Sequence, residues 1–232
     1  MARKPVFAWF GPVSGILFVT LLIVALGVSG SMDVDPEDSA ATIAAELEKK
    51  RDGAAGFFGL FSLAVFFFLF FLAYLRDRLG RVGEEGAWLV SVLWGSGLLF
   101  AAMALLTGSV QAAQVVVEDY GQDTQVAKTL FVIGWYTVLV LGPPVAAFGA
   151  SAAVLILRFK LLPRWLGAVA VLVFLSGVVV PWMAANELAL WVLLTSVVLL
   201  VEGRKRPTAA RPERADPTRH APPHRDRPGA RP

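Results

Sequence analysis

The chain has 232 residues, 56% of them hydrophobic, and a mean hydropathy of +0.65; set against the roughly 45–50% apolar content of an ordinary soluble domain, this excludes folding as a water-soluble globule. Lys and Arg number 21 against 18 Asp and Glu, a net charge of only +3, so the information lies in where the charges fall rather than in their sum. Cysteine is absent and the two histidines, His220 and His224, lie near the C-terminus, which removes disulfides, thiolate chemistry and the commonest general base and metal ligand from the folded part.

An α-helix of about 20 apolar residues crosses a hydrocarbon core of about 30 Å. Six apolar runs, 6–29, 54–75, 88–112, 129–157, 165–180 and 188–201, carry no charged residue in their interiors. They predict an all-α membrane protein: a six-transmembrane-helix bundle over residues 1–201, a short outer amphipathic helix, and a disordered Pro/Arg-rich tail over 202–232. The first run follows Arg3 and Lys4 and ends at Val28-Ser29-Gly30, which is also how a cleaved secretory signal is written. It is longer than a signal core of about 7–15 residues, so a retained helix is expected.

Between the first two runs, Asp35-Pro36-Glu37-Asp38 has the form of a helix start, with an N-cap acceptor, Pro at the first position and acids in the first turn. Ala40, Ile43, Ala44 and Leu47 then recur at helical spacing and Glu46 faces Lys50, predicting a short amphipathic helix on the outer surface. Asp33, Asp35, Glu37 and Asp38 could instead offer oxygens to a divalent cation. Capping accounts for Asp35 to Asp38 without a metal, and the spacing fits no calcium loop.

The second run places Phe57, Phe58, Phe61, Phe66, Phe67, Phe68, Phe70 and Phe71 around its whole circumference, so it is expected to face lipid over much of its surface. Gly11 with Gly15, and Ser91 with Gly95, are small residues at four-residue spacing suited to close helix packing. Gln111 and Tyr136 are the large polar groups expected to reach across helices. Glu118, Asp119, Tyr120 and Asp123 read as a solvated connection.

In the fourth run Gly142-Pro143-Pro144 removes two backbone N–H donors, predicting a kink or local unwinding. Transporters use such breaks at a midplane site, in matched pairs from two repeated halves. Gly11-Pro12 lies too near the start of its helix to be the matching break, so a kink that shapes the bundle is the expected role. The last two runs are short and need residues 161–164 and 182–187 to complete a crossing. Merging them into one tilted helix is opposed by Pro181 and by Asn186-Glu187 near its middle.

Trp9, Trp88, Trp165 and Trp182 fall near run ends, where amphipathic rings anchor at the interface. From Glu202 onward the composition turns to Pro and Arg, with prolines from Pro207 to Pro232 spaced too closely for a helix to form. The basic residues from Arg204 to Arg231 can hold anionic lipid headgroups at about 1 kcal/mol each, and no nucleic-acid partner is expected. His220 and His224 would align as metal ligands only on a helix, which the prolines forbid.

Six crossings put the N-terminus, the 76–86 and 158–164 connections and the tail on one side. That side holds Arg3, Lys4, Arg76, Arg78, Arg81, Arg158, Lys160, Arg164 and the tail, while Lys49, Lys50, Arg51 and Lys128 lie opposite. By the positive-inside rule both termini are cytoplasmic and the protein is a multi-pass protein of the cell membrane.

At Leu162-Pro163-Arg164-Trp165-Leu166-Gly167, together with the 31–53 loop and its Ala40-Ala41-Thr42-Ile43-Ala44 run, the chain resembles a family of bacterial, actinobacterial-type six-helix integral membrane proteins with a Leu-Pro-Arg-x-Leu-Gly element. The resemblance implies a six-span layout over residues 6–201 with that element at the entry to the fifth helix. It implies no activity, because none is established for the family. Physically, Pro163 suits a helix start, Arg164 can snorkel to phosphates, Trp165 can anchor at the interface and Gly167 permits close packing.

The expected function is therefore non-enzymatic, without a cofactor, and exercised through helix packing, lipid contact or association with another membrane protein. The alternative is a carrier of an apolar or weakly polar solute that uses the kinked fourth helix. Proton coupling would need an intramembrane acid, and the runs contain none.

Overall fold

The computed structural model describes residues 9–29, 33–116 and 124–205. Arg3 and Lys4, the acids of the 118–123 connection, and the tail beyond Lys205 with its histidines lie outside the described residues. Those described form helices and no strands: α1 (Phe10–Ser29), α2 (Ala40–Lys49), α3 (Arg51–Leu79), α4 (Glu84–Val116), α5 (Thr124–Thr137), α6 (Gly142–Phe159), α7 (Arg164–Val179) and α8 (Ala184–Lys205). Five stretches are long and apolar enough to cross a membrane: Phe10–Val28, Gly56–Leu79, Glu84–Ala113, Thr124–Phe159 and Ala184–Gly203. The sixth apolar helix, α7, has 16 residues and is about 24 Å long.

α1, α3 and α4 pack side by side. Gly11 of α1 lies against the Tyr74 ring of α3, and the rings of Phe18 and Phe68 lie 5.1 Å apart. Phe68 also meets Phe100 of α4 edge-on at 5.4 Å. α6 occupies the centre, packed against α4, α7 and α8, and α8 closes the bundle against α1. Two ion pairs mark one end of it: Arg78 of α3 with Glu202 of α8, and Arg158 of α6 with Glu85 of α4, each at 3.5 Å. At the other end a small separate core of Val34, Ile43, Leu47, Ala127 and Phe131 joins α2 to α5.

Several boundaries differ from the sequence expectation. Ser39, not Asp35, caps α2: its Oγ accepts from the Thr42 N–H at 3.2 Å. Asp35 to Asp38 instead close a turn on themselves, with the Asp38 N–H donating to the Asp35 carbonyl and the Asp35 N–H to the Asp38 carboxylate. Asp first and Pro second are favoured in such a turn, so the same residues satisfy two local motifs and the turn prevails. The Asp38 carboxylate is thereby engaged by backbone, and among the described residues no group of three or more His, Cys, Asp or Glu could hold a metal ion.

The last apolar helix begins at Ala184 rather than 188 and runs to Lys205 rather than 201. Asn186 and Glu187 are part of its first turn, where an acid favours the helix N-terminus, and residues 202–205 belong to the helix rather than to the tail. Pro207 sets a limit just beyond. α7 and α8 pack against each other as a hairpin through the 180–183 turn, so they are not one tilted helix.

The phenylalanine helix is two-sided: Phe68 and Phe71 are fully buried while Phe66 and Phe70 are exposed. Of the two small-residue pairs, Gly11 and Gly15 are in close contact, but nothing approaches Gly95, and Ser91 bonds its own helix at the Ala87 carbonyl.

Between α6 and α7 the close approach is to backbone atoms. A Cβ on Gly149 would lie 2.6 Å from the Phe174 nitrogen, and one on Gly177 would lie 2.7 Å from both the Ala146 nitrogen and the Gly142 oxygen. Backbone meets backbone there, so a larger residue has nothing soft to displace. Gly177→Val is expected to lower stability by about 1–3 kcal/mol or more, whereas Gly95→Ala, in open space on α4, should be neutral or gain up to about 1 kcal/mol. Thermal unfolding in detergent checks both.

Candidate functional site

The fourth apolar run breaks one turn before its prolines. α5 ends at Thr137, Val138–Leu141 form a single 3₁₀ stretch, and α6 starts at Gly142. The reason is a count of donors. In an α-helix the Leu139 carbonyl would accept from residue 143, which is proline; tightening to 3₁₀ lets the Gly142 N–H donate to it instead. The Val140 carbonyl has no such escape, since both residues that could serve it, 143 and 144, lack an N–H.

The break is sealed on its inner side. Gly142 and Pro144 are buried and Pro143 is exposed. A Cβ on Gly142 would lie 2.6 Å from the Gly177 oxygen and 2.7 Å from the Pro181 Cβ, so the end of α7 closes directly over it. On the α4 side, Thr107 Oγ1 donates to the Thr137 carbonyl at 3.3 Å, which ties the last α-helical residue before the break to a neighbouring helix.

Gln111 is half-buried near the end of α4, and Tyr136 is 56% exposed on the outside of α5. Neither bonds another helix among the described residues. The interhelical polar contacts run through other groups: Thr107 to Thr137, Lys128 Nζ to the Asp38 carbonyl at 2.6 Å, and the indole N–H of Trp191 to the Leu166 carbonyl at 3.1 Å. Trp191 is fully buried and meets the Phe148 ring edge-on at 5.4 Å, so one side chain joins α6, α7 and α8. Four side-chain oxygens are buried without a hydrogen-bond partner among the described residues: Ser62 Oγ, Glu187 Oε2, Thr195 Oγ1 and Ser196 Oγ. Ser196 packs into the notch left by Gly15 of α1. The acid in this set, Glu187, stands one turn inside α8, where the sequence expectation put a flank.

The Leu-Pro-Arg-Trp-Leu-Gly element forms the turn between α6 and α7. Lys160 ends α6 in the left-handed region, φ 55°, with its N–H on the Ile156 carbonyl. Pro163 caps α7 and Arg164 is its first residue. Leu162 and Leu166 are buried, while Arg164 and Trp165 are exposed. Gly167 receives the side chain of Leu157, whose Cδ2 would lie 2.8 Å from an added Cβ. Trp9, Trp88 and Trp182 are exposed as well.

Spacing held one unread signal: Gly142, Ala146, Gly149 and Ala153, at intervals of four, three and four, are among the small residues that α6 buries. No signal in the sequence marks Trp191 apart from the other tryptophans. In comparisons with known proteins, no family model, no curated protein and no solved structure matches this chain.

Trp191→Phe removes the indole donor while keeping an aromatic ring. It is expected to cost about 0.5–1.5 kcal/mol, read as a lowered midpoint of thermal unfolding in detergent. Trp182→Phe, at an exposed position, should leave the midpoint unchanged.

Proposed function

We propose that this chain is a non-enzymatic integral membrane protein of six crossings, α7 completing the set with its flanking residues, and with both termini in the cytoplasm. In this reading it acts through its packed bundle and its outer faces, on membrane lipid or another membrane protein. The observation that carries the reading is the sealed α6–α7 seam, where Gly142, Gly149 and Gly177 leave no room for a methyl group. A solute path through the break would have to separate helices held backbone to backbone. The alternative, a carrier working at Gly142, Pro143 and Pro144, draws on the Val140 carbonyl that the prolines deprive of its donors. Replacing Pro143 and Pro144 by Ala in proteoliposome transport assays tests it, and unchanged flux removes the break from any transport mechanism.

The orientation is supported by where the described charges gather. Arg76, Arg78, Arg158, Lys160 and Arg164 belong to the end that the Arg78–Glu202 and Arg158–Glu85 pairs define, and Lys49, Lys50 and Lys128 to the other. Since the chain has no native cysteine, single cysteines report topology without background. Glu37→Cys is expected to react with an impermeant maleimide on intact cells, and Thr208→Cys only after permeabilisation. Reaction of both on the same side of an intact membrane would overturn the six-crossing arrangement. Pull-down after mild detergent extraction then separates the two modes of action, a reproducible protein partner against co-purified lipid.

A further inference from the structure

The arginines and lysines at the cytoplasmic end are not equivalent. Arg78 is committed to Glu202, and Arg76 lies over the Trp94 ring at 5.1 Å. Arg158 reaches Glu85 at 3.5 Å and leans on the Phe159 ring at 5.6 Å. Lys160 and Arg164, both exposed, pair with no carboxylate among the described residues. The left-handed turn at Lys160 reverses the chain, so these two charges bracket the short connection between α6 and α7, and Arg158 lies two residues before Lys160. Among the described residues Glu85 meets this group, pairing with Arg158.

Beyond the charges the exposed surface is apolar on both helices. Val154 and Leu157 line it on α6; Ala168, Leu172 and Leu175 line it on α7, with Leu172 61% exposed. Leu157 seats in the Gly167 notch, one helical turn from Arg164, which makes the charged and the apolar surfaces continuous. Trp165 stands exposed beside Arg164 at the boundary between them.

We propose that the α6–α7 turn is a binding site for an anionic phospholipid, its phosphate held by Lys160 and Arg164 and its acyl chains lying along Leu157, Ala168 and Leu172. Charge complementarity selects the headgroup: two basic side chains that pair with no carboxylate among the described residues favour a net negative lipid over a zwitterionic one. The apolar surface continuous with them selects a lipid over free phosphate. Each basic residue near an anionic surface is worth about fivefold in affinity, so losing both charges should weaken binding about 30-fold. The proposal rests on the membrane reading above and is separate from any lipid contact of the C-terminal tail.

The test is titration of the purified full-length protein in mild detergent with phosphatidylglycerol, phosphatidylcholine or inorganic phosphate, with adducts counted by native mass spectrometry. Phosphatidylglycerol is expected to bind more tightly than phosphatidylcholine, and phosphate not at all. Lys160→Asn with Arg164→Gln should lose the preference; Asn tolerates the left-handed conformation, so the turn is kept. Lys160→Arg with Arg164→Lys should retain it, which separates charge from folding. Arg211→Gln with Arg214→Gln, in the tail, should also retain it.

Equal binding of the two lipids, binding of phosphate alone, or equal loss in the tail variant would each overturn the site. Resistance of the protein to alkaline carbonate extraction from membranes is measured alongside. Extraction into the soluble fraction would instead sink the membrane reading.

Discussion

Between α6 and α7 three glycines stand where a methyl group does not fit, and the rest of the bundle is arranged around that contact. In a lipid environment the hydrophobic effect gives no reason for two apolar helices to meet, because lipid tails are as apolar as leucine. Association rests on dispersion, which fades within an ångström of separation. Gly142, Gly149 and Gly177 let the two backbones approach until carbonyl and amide atoms are in contact. α6 is then free to present its other faces to α4 and α8, and Trp191 fills the space where α6, α7 and α8 converge.

The seam and the helix break are two consequences of one short stretch. Gly142 is the last residue able to donate before two prolines, and its donation to Leu139 is what makes the preceding turn 3₁₀. The same residue, having no side chain, accepts the end of α7 against it. A residue with a Cβ would keep the hydrogen bond and lose the contact; a proline would lose the hydrogen bond. The break therefore does positional work, setting where α5 departs from α6 at the level at which α7 ends. That explains why it is closed inward and open only on the exposed side of Pro143.

Hydropathy made the helices legible, because a run of apolar residues without charge has few other folded solutions once the chain is this apolar. Over the described residues each of the six runs is helical, the fourth as two helices joined by a 3₁₀ stretch, with ends displaced by a few residues. The displacements have a common cause: charged and polar residues were read as belonging outside helices, yet Glu187 is favourable in a first turn and Glu202 extends α8 by pairing with Arg78. The α2 start was misplaced for a different reason, since Asp35-Pro36 suits a turn as well as a cap and only the alternative acceptor at Ser39 decides between them. The interior contacts were less legible. Thr107, Trp191 and Lys128 are engaged through backbone carbonyls of other segments, and a carbonyl has no sequence signature. Gln111 and Tyr136 drew attention by size and polarity, properties that also suit a surface position, and Tyr136 is exposed.

Helix lengths bring the remaining features together. α4 has 33 residues and the α5–α6 stretch 36, or about 50 Å each, whereas α7 has 16, about 24 Å. No single hydrocarbon thickness near 30 Å matches both. In the six-crossing arrangement, α7 fits by standing between Arg164 and Trp165 at one end and Trp182 at the other, groups whose long or amphipathic side chains reach a boundary that the helix itself does not. The long helices must then project on the opposite side from the basic end. That is where α2 lies: Ile43 and Leu47 are buried against Ala127 and Phe131 of α5, and Lys128 holds the Asp38 carbonyl. α2 therefore packs its apolar side on α5 at the end of the bundle away from the Arg78–Glu202 and Arg158–Glu85 pairs. Its amphipathic pattern, legible in the sequence, is used against protein, because α5 offers Ala127 and Phe131 as an apolar face to Ile43 and Leu47.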